Sequence, residues 1–201
     1  MVSRSTLQLC LHGRPLLPLV VHHPTLASRD TILAWLDRVM DPELPVVSVV
    51  DLGIVRDVQW QFDGVDRDPP RLVVTVTPTY SGCPATEVIA ASIKDALHAH
   101  GVAQVEVRTQ LAPAWTTDWM TSKGRDALRS YGIAPPMQHA SGCCNTQVID
   151  IGALMAHRIT VPCPQCGSRK TRRLSQFGST ACKALYQCKD CLEPFDYFKP
   201  H

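Results

Sequence analysis

The chain lacks long hydrophobic runs, a large net charge and a recognisable export signal. None of its apolar stretches approaches the ~18 consecutive residues needed to cross a bilayer, so a helical membrane anchor is not expected. The formal net charge of +2 over 201 residues provides no overall basic field, and any nucleic-acid contact would need a local patch. Leu7 to Val21 is apolar, but Gly13, Arg14, Pro15 and Pro18 interrupt it, His22-His23-Pro24 follows, and no small-residue cleavage site is evident. A cytoplasmic protein with no membrane partner is the expectation. With 45% hydrophobic and 19% charged residues, the composition is that of a globular chain and not a disordered one.

Cysteine, in contrast, is abundant. There are nine, an odd number. In a chain without an export signal, clustered cysteines indicate metal or thiol chemistry more than disulfides.

Four segments emerge along the sequence. Residues 1–27 show neither a helical nor a strand period and read as a disordered tail or a start codon placed too early. Residues 28–136 alternate helix and strand patterns. Ser28 is a good N-cap, Asp30 suits the first turn, and Ile32, Leu33, Trp35, Leu36 and Val39 recur at helical spacing up to Asp41-Pro42-Glu43. Strands are expected over 54–62, with Ile54, Val58, Trp60 and Phe62 on one face, over 72–77 and over 102–109. Asp63-Gly64 and Asp68-Pro69-Pro70 connect the first two strands. A second helix is expected over 84–100, with Pro84 at its first position and Val88, Ile89, Ile93, Ala96 and Leu97 as its apolar stripe. A third runs over 122–131, closed by Gly132. The expected fold is α/β: a small mixed sheet with helices on one face. Residues 137–160, which include Cys143-Cys144 and the apolar run Val148 to Met155, read as a linker with one short element. Residues 161–198 turn to cysteine, basic and aromatic residues.

Cys163-Pro-Gln-Cys166 and Cys188-Lys-Asp-Cys191 are paired C-x-x-C knuckles separated by residues 167–187. A two-residue gap lets both sulfurs of a knuckle turn toward one centre, and a hairpin joining two such knuckles supplies four thiolates. So short a segment cannot bury a stable core unaided, and metal binding must contribute to its folding. Phe177, Tyr186, Phe195, Tyr197 and Phe198 are expected to pack around this metal-bound β-ribbon. Zinc is the default occupant, although an iron–sulfur cluster also accepts four thiolates. Six basic against three acidic residues give +3 over 161–198, while four thiolates on a divalent metal carry −2, which leaves no strong case for nucleic acid. Cys182 stands outside the knuckles and reads either as a buried structural thiol or as a reactive one with its pKa lowered by Lys183.

Cys83 precedes a helix start, where the dipole and free N–H groups would stabilise a thiolate. Gly82 allows close backbone approach. Asp41, Glu43 and Glu87 could complete a small polar site, although on local pattern an inert capping cysteine explains Cys83 at least as well. A nucleophilic enzyme would need a base. His98 and His100 lie more than ~20 Å along the same helix at 1.5 Å per residue.

Asp41-Pro42-Glu43-Leu44-Pro45 with Asp51-Leu52-Gly53-Ile54-Val55, and Thr77 to Pro84, resemble the MIP18 (DUF59) family. Trp115 to Met120, Tyr131 to Pro136 and the stretch from Phe177 to Lys199 resemble the PaaD family of phenylacetyl-CoA epoxidase components from bacterial phenylacetate degradation, over about residue 28 to the end. The resemblance implies an accessory component, not the oxygenase, that matures metal centres, chiefly in the flavin and iron–sulfur reductase partnering the di-iron monooxygenase. A transient iron or iron–sulfur cargo would sit at Cys83, with Asp41, Glu43 or Glu87 assisting and Cys182 as an accessory thiol. The chain carries no Glu-x-x-His pairs on long helices such as a di-iron bundle needs. The alternative is a structural or electron-transfer component of the complex with an iron–sulfur cluster in the four-cysteine site. A homo-oligomer remains open.

Overall fold

The structure is a computed structural model that describes residues 26–62, 70–137 and 160–200. The tail before residue 26, the connection around Asp63-Gly64 and Asp68-Pro69, and the Cys143-Cys144 linker lie outside the described residues. The described chain holds two three-stranded sheets. The first contains β1 (Val55–Gln61), β2 (Arg71–Val76) and β3 (Gln104–Thr109), with α1 (Arg29–Leu36), α2 (Thr86–Ala99) and α3 (Ser122–Tyr131) around it. The second contains β4 (Thr171–Ser175), β5 (Lys183–Cys188) and β6 (Pro194–Phe198). No described helix is long and apolar enough to cross a membrane.

The first sheet is mixed. β1 runs antiparallel to β2, and β2 runs parallel to β3. A parallel pair needs a crossover, which α2 supplies. As the central strand, β2 buries Leu72, Val73, Val74 and Val76, which is why it reads as an unbroken apolar run. Helices α1 and α2 touch each other as well as the sheet, so they share a face. Ser28 caps α1 by accepting the Thr31 N–H at 3.2 Å. Gly132, at φ 93°, closes α3 in the left-handed conformation that glycine adopts readily.

Several sequence expectations shift. Helix α1 stops at Leu36, earlier than the Asp41-Pro42-Glu43 boundary. The chain turns through Asp37, so that the Val39 N–H bonds the Leu36 carbonyl and the Val39 carbonyl takes the Val49 N–H. Val39 is still buried, reached by the turn and not by helical phase. In β1 a bulge between Val55 and Asp57 breaks the alternation, and Phe62 ends 71% exposed. Helix α2 begins at Thr86, leaving Pro84 in the preceding turn. Its core face is Ile89, Ile93 and Leu97, whereas Val88 lies a helical step off that face and is exposed.

The second sheet has three antiparallel strands where the sequence predicts a hairpin. Tyr186, Phe195 and Tyr197 pack in it with ring centroids 5.5–5.9 Å apart. Phe177 does not join them. It is exposed, with the Lys199 ammonium 4.6 Å over its ring. Phe198 belongs to the other core: it is fully buried and meets Trp115 edge-on at 6.0 Å. The segment after α3 bonds the two units together. Ala134 donates its N–H to the Asp196 carbonyl at 2.8 Å and accepts the Phe198 N–H at 3.0 Å.

Candidate metal and thiol sites

In each knuckle the residue after the second cysteine turns left-handed, Gly167 at φ 72° and Leu192 at φ 66°. In the first knuckle the Gly167 N–H returns to the Cys163 carbonyl at 2.9 Å. These turns gather the sulfurs of Cys163, Cys166, Cys188 and Cys191 within 4.8 Å of one another. The separations Cys163–Cys191 and Cys166–Cys188 are 3.7 and 3.6 Å. A tetrahedron with zinc–sulfur bonds of about 2.3 Å has edges of about 3.8 Å, so this donor set fits a single metal ion. The four cysteines form a metal site.

Leu192 is the one non-glycine residue with positive φ among the described residues, and it is 67% exposed. The left-handed region costs an ordinary residue ~1–2 kcal/mol, whereas glycine enters it at a chain-entropy cost of ~0.5–1. Leu192→Gly should therefore stabilise the metal-bound ribbon by roughly 0.5–1 kcal/mol, slowing metal loss to a chelator about two- to fivefold. Metal loss as fast as in the parent would show that the turn is unstrained.

A second constellation lies where the ribbon meets the α/β unit. Cys83 sits in the loop after β2. Its carbonyl accepts from the Thr86 hydroxyl at 2.9 Å and the Thr86 N–H at 3.3 Å, which starts α2 without a side-chain cap. The sulfur is half-buried. Burial pushes the Cys83 thiol up, and Glu43 and Asp41 push the same way against the Ala85 N–H and the Thr86 hydroxyl. The expectation of a thiolate favoured by the helix terminus is therefore corrected. Removal from water together with two carboxylates outweighs the local N–H groups.

Asp41 is buried, and its Oδ1 accepts the N–H groups of Glu43 and Leu44 at 2.8 and 2.9 Å. That Asx turn explains Asp-Pro-Glu locally: the carboxylate builds the loop that presents Glu43. Burial raises the Asp41 pKa, with the two N–H bonds opposing. Glu43 Oε2 lies 3.6 Å from the sulfur of Cys182, which is 139 residues away in sequence. Cys182 is buried, and its thiol is pushed up to about 11, chiefly by burial. Lys183 does not produce a low-pKa thiol. Its ammonium turns to Asp196 at 3.5 Å.

Cys83, Asp41, Glu43, Cys182, Thr86 and Phe198 all line one cavity. It leaves about 10 Å³ for the centre of a water-sized sphere, room for about one water. Glu87 is exposed on α2 and does not line this cavity, so the structure does not bring it to Cys83. Thr86, which sequence reasoning passed over, occupies that place. A threonine two or three residues after Cys-Pro was the available signal, since its hydroxyl can bond back to the cysteine carbonyl.

Residues 29–107 match the family model of the iron–sulfur cluster assembly protein, and residues 151–199 match that of the PaaD zinc beta ribbon domain. A protein of Escherichia coli K12, named as the D-type component of 1,2-phenylacetyl-CoA epoxidase, is 47% identical over 168 residues, covering 84% of this chain and 90% of that one. Among solved structures, a DUF59 domain of unknown function from Bacillus anthracis is 32% identical over 49% of this chain and 89% of its own, with a TM-score of 0.43. A Mycobacterium tuberculosis protein associated with Fe–S complex assembly and repair is 33% identical over 55% of this chain and 93% of its own, with a TM-score of 0.33.

Proposed function

The chain belongs to the PaaD family of 1,2-phenylacetyl-CoA epoxidase components, and we propose that it is a non-catalytic accessory component that helps load iron or iron–sulfur centres into a partner, the flavin and iron–sulfur reductase being the first candidate. The carrying observation is the cavity where Cys83 meets the carboxylates of Asp41 and Glu43. It has room for about one water, which suits an ion and is far too small for an acyl-coenzyme A. The match of residues 29–107 to an iron–sulfur assembly family points the same way. In this reading residues 28–136 carry the working thiol. Residues 161–198 form a zinc ribbon whose four-thiol closure leaves no open position for chemistry.

Cys83→Ser tests the proposal. The expected result is a several-fold fall in iron–sulfur content of the reductase purified from cells growing on phenylacetate, with slower growth and an unchanged level of the variant itself. Full cluster content in the reductase would sink the proposal. The electron-transfer alternative makes a different forecast for the ribbon: a coloured protein with iron at Cys163, Cys166, Cys188 and Cys191. The 3.6–3.7 Å sulfur separations favour one ion over a multi-iron cluster, which places its thiolates on different irons and spreads them wider.

A further inference from the structure

The groove between α3 and the first cysteine knuckle plays no part in the loading role, and it is far larger than the cavity at Cys83. Its volume is about 480 Å³, within the usual size of a small-ligand pocket. Three chain segments wall it: one face of α3, residues 134–137, and the knuckle around Pro164. These walls are held in place. Ala134 is bonded to β6 through both its N–H and its carbonyl, and the Gln165 amide nitrogen sits over Gly132, 3.2 Å from where a Cβ would lie.

Two kinds of surface meet in the groove. Pro135, Pro136, Met137, Pro162 and Pro164 supply an apolar wall. Proline has no side-chain rotamers to freeze, so it presents apolar area at little entropic cost. The charged lining comes from α3, as Arg125, Asp126 and Arg129. Arg129 is paired with Asp126 at 2.7 Å, and both side chains are more than half exposed.

Arg125 differs from them. It is only 9% exposed, and its guanidinium donates to the carbonyl of Pro136 at 2.9 Å and to that of Thr117. These carbonyls fix the plane of the group but bring no counter-charge. No described carboxylate pairs with it. The Cys163 sulfur also borders the groove but is committed to the knuckle, 3.7 Å from Cys191. A buried cation without a counter-charge is costly, and a guanidinium has five N–H donors, more than two carbonyls use.

An anion in the groove would supply the missing charge. Two arginines against one aspartate leave one positive charge, which matches a monoanion and not a phosphate group carrying up to about two negative charges. A planar carboxylate fits the guanidinium fork, and the proline wall suits an apolar body. We propose that this groove binds a small organic monocarboxylate, with its carboxylate on Arg125 and its apolar part against the prolines. The site is separate from the loading role and does not depend on Cys83.

The test adds phenylacetate, one ring and one carboxylate, to full-length protein with zinc in its ribbon and follows binding by isothermal titration calorimetry. One saturable site is expected. Acetate lacks the apolar body and 2-phenylacetamide lacks the charge, and each should bind at least about tenfold more weakly. Met137→Glu places a like charge on the exposed rim and should cost at least about tenfold with the zinc retained. Arg125→Lys keeps the charge but loses the fork, and should weaken binding by a similar factor. If Arg125→Lys sheds zinc or unfolds, Met137→Glu and the amide decide. Asp150→Asn removes the one carboxylate within residues 138–160 and should leave affinity within about twofold. No saturable binding, acetate or the amide binding as tightly as phenylacetate, or unchanged affinity in Met137→Glu or in folded Arg125→Lys overturns the site. So does a gain of about tenfold in Asp150→Asn, which would show that the chain's own acid answers Arg125.

Discussion

Stripping the metal from Cys163, Cys166, Cys188 and Cys191 is expected to unfold β4–β6 and loosen the α/β core as well. The ribbon's own buried cluster is small: Val161, Ala184, Tyr186, Phe195 and Tyr197, with Ala134 from the other unit and the two ligands Cys163 and Cys188. Structural zinc contributes about 10–16 kcal/mol of apparent folding free energy in isolated zinc-finger peptides, more than so small a core can replace. The effect does not stop at the ribbon, because Phe198 and Cys182 are counted in the α/β core. Withdrawing Phe198 from beside Trp115 resembles a Phe→Ala truncation, which costs roughly 3–5 kcal/mol. Under reducing conditions with a strong chelator, trypsin should cut at Arg169, Lys170, Arg172 and Arg173, and tryptophan emission should shift as Trp115 is uncovered. A chelated, metal-free chain that resists trypsin there and keeps its emission would show that packing alone holds the ribbon.

Gly53→Ala should be the most damaging single-methyl change in the α/β unit. Gly53 sits at φ 71°, where an ordinary side chain costs ~1–2 kcal/mol. The added Cβ would also lie 2.5 Å from the Trp119 carbonyl oxygen and 2.7 Å from its Cβ, contacts that force movement in the Thr117–Trp119 turn. Overpacking of that kind costs a further ~1–3 kcal/mol, giving a total of roughly 2–5. The damage would fall near the cavity, because the preceding Leu52 lines it and its carbonyl holds the Trp115 indole N–H at 2.9 Å. Chemical denaturation should show the midpoint falling with its slope unchanged. Gly53→Asn separates the causes: asparagine tolerates the left-handed backbone but keeps the clash, so it should recover only the conformational part. A loss below about 1 kcal/mol for Gly53→Ala would mean that the turn yields freely.

Whatever depends on neighbours in sequence is directly legible. The C-x-x-C knuckles are such a case, because a two-residue gap is itself the geometry that points two sulfurs at one centre. The Ser28 cap and the Gly132 stop are others, since each acts within one turn of its own helix. Legibility ends where phase depends on something distant. Phe62 reads as an inward residue because it keeps the phase of Val58 and Trp60, but β1 ends at Gln61 with its last pair to Arg71, and an end set by the partner strand is invisible in the strand's own pattern. Val88 reads as part of the core stripe because a run of apolar residues does not say which helical face meets the sheet.

Sequence alone singled out the four ribbon cysteines as a ligand set, the order of the helices and strands up to α3, and Cys83 as one of two open readings. The fold decided that Cys83 shares a cavity with Glu43 and with Cys182, whose contact with Glu43 spans 139 residues. It also excluded Glu87, reversed the expected direction for the Cys83 thiol, and favoured the buried structural reading of Cys182 over the low-pKa one. The physical reason is common to these: proximity and burial are properties of the packed chain. A helix terminus can be recognised a few residues away, but the water it displaces and the carboxylates it meets come from elsewhere in the molecule.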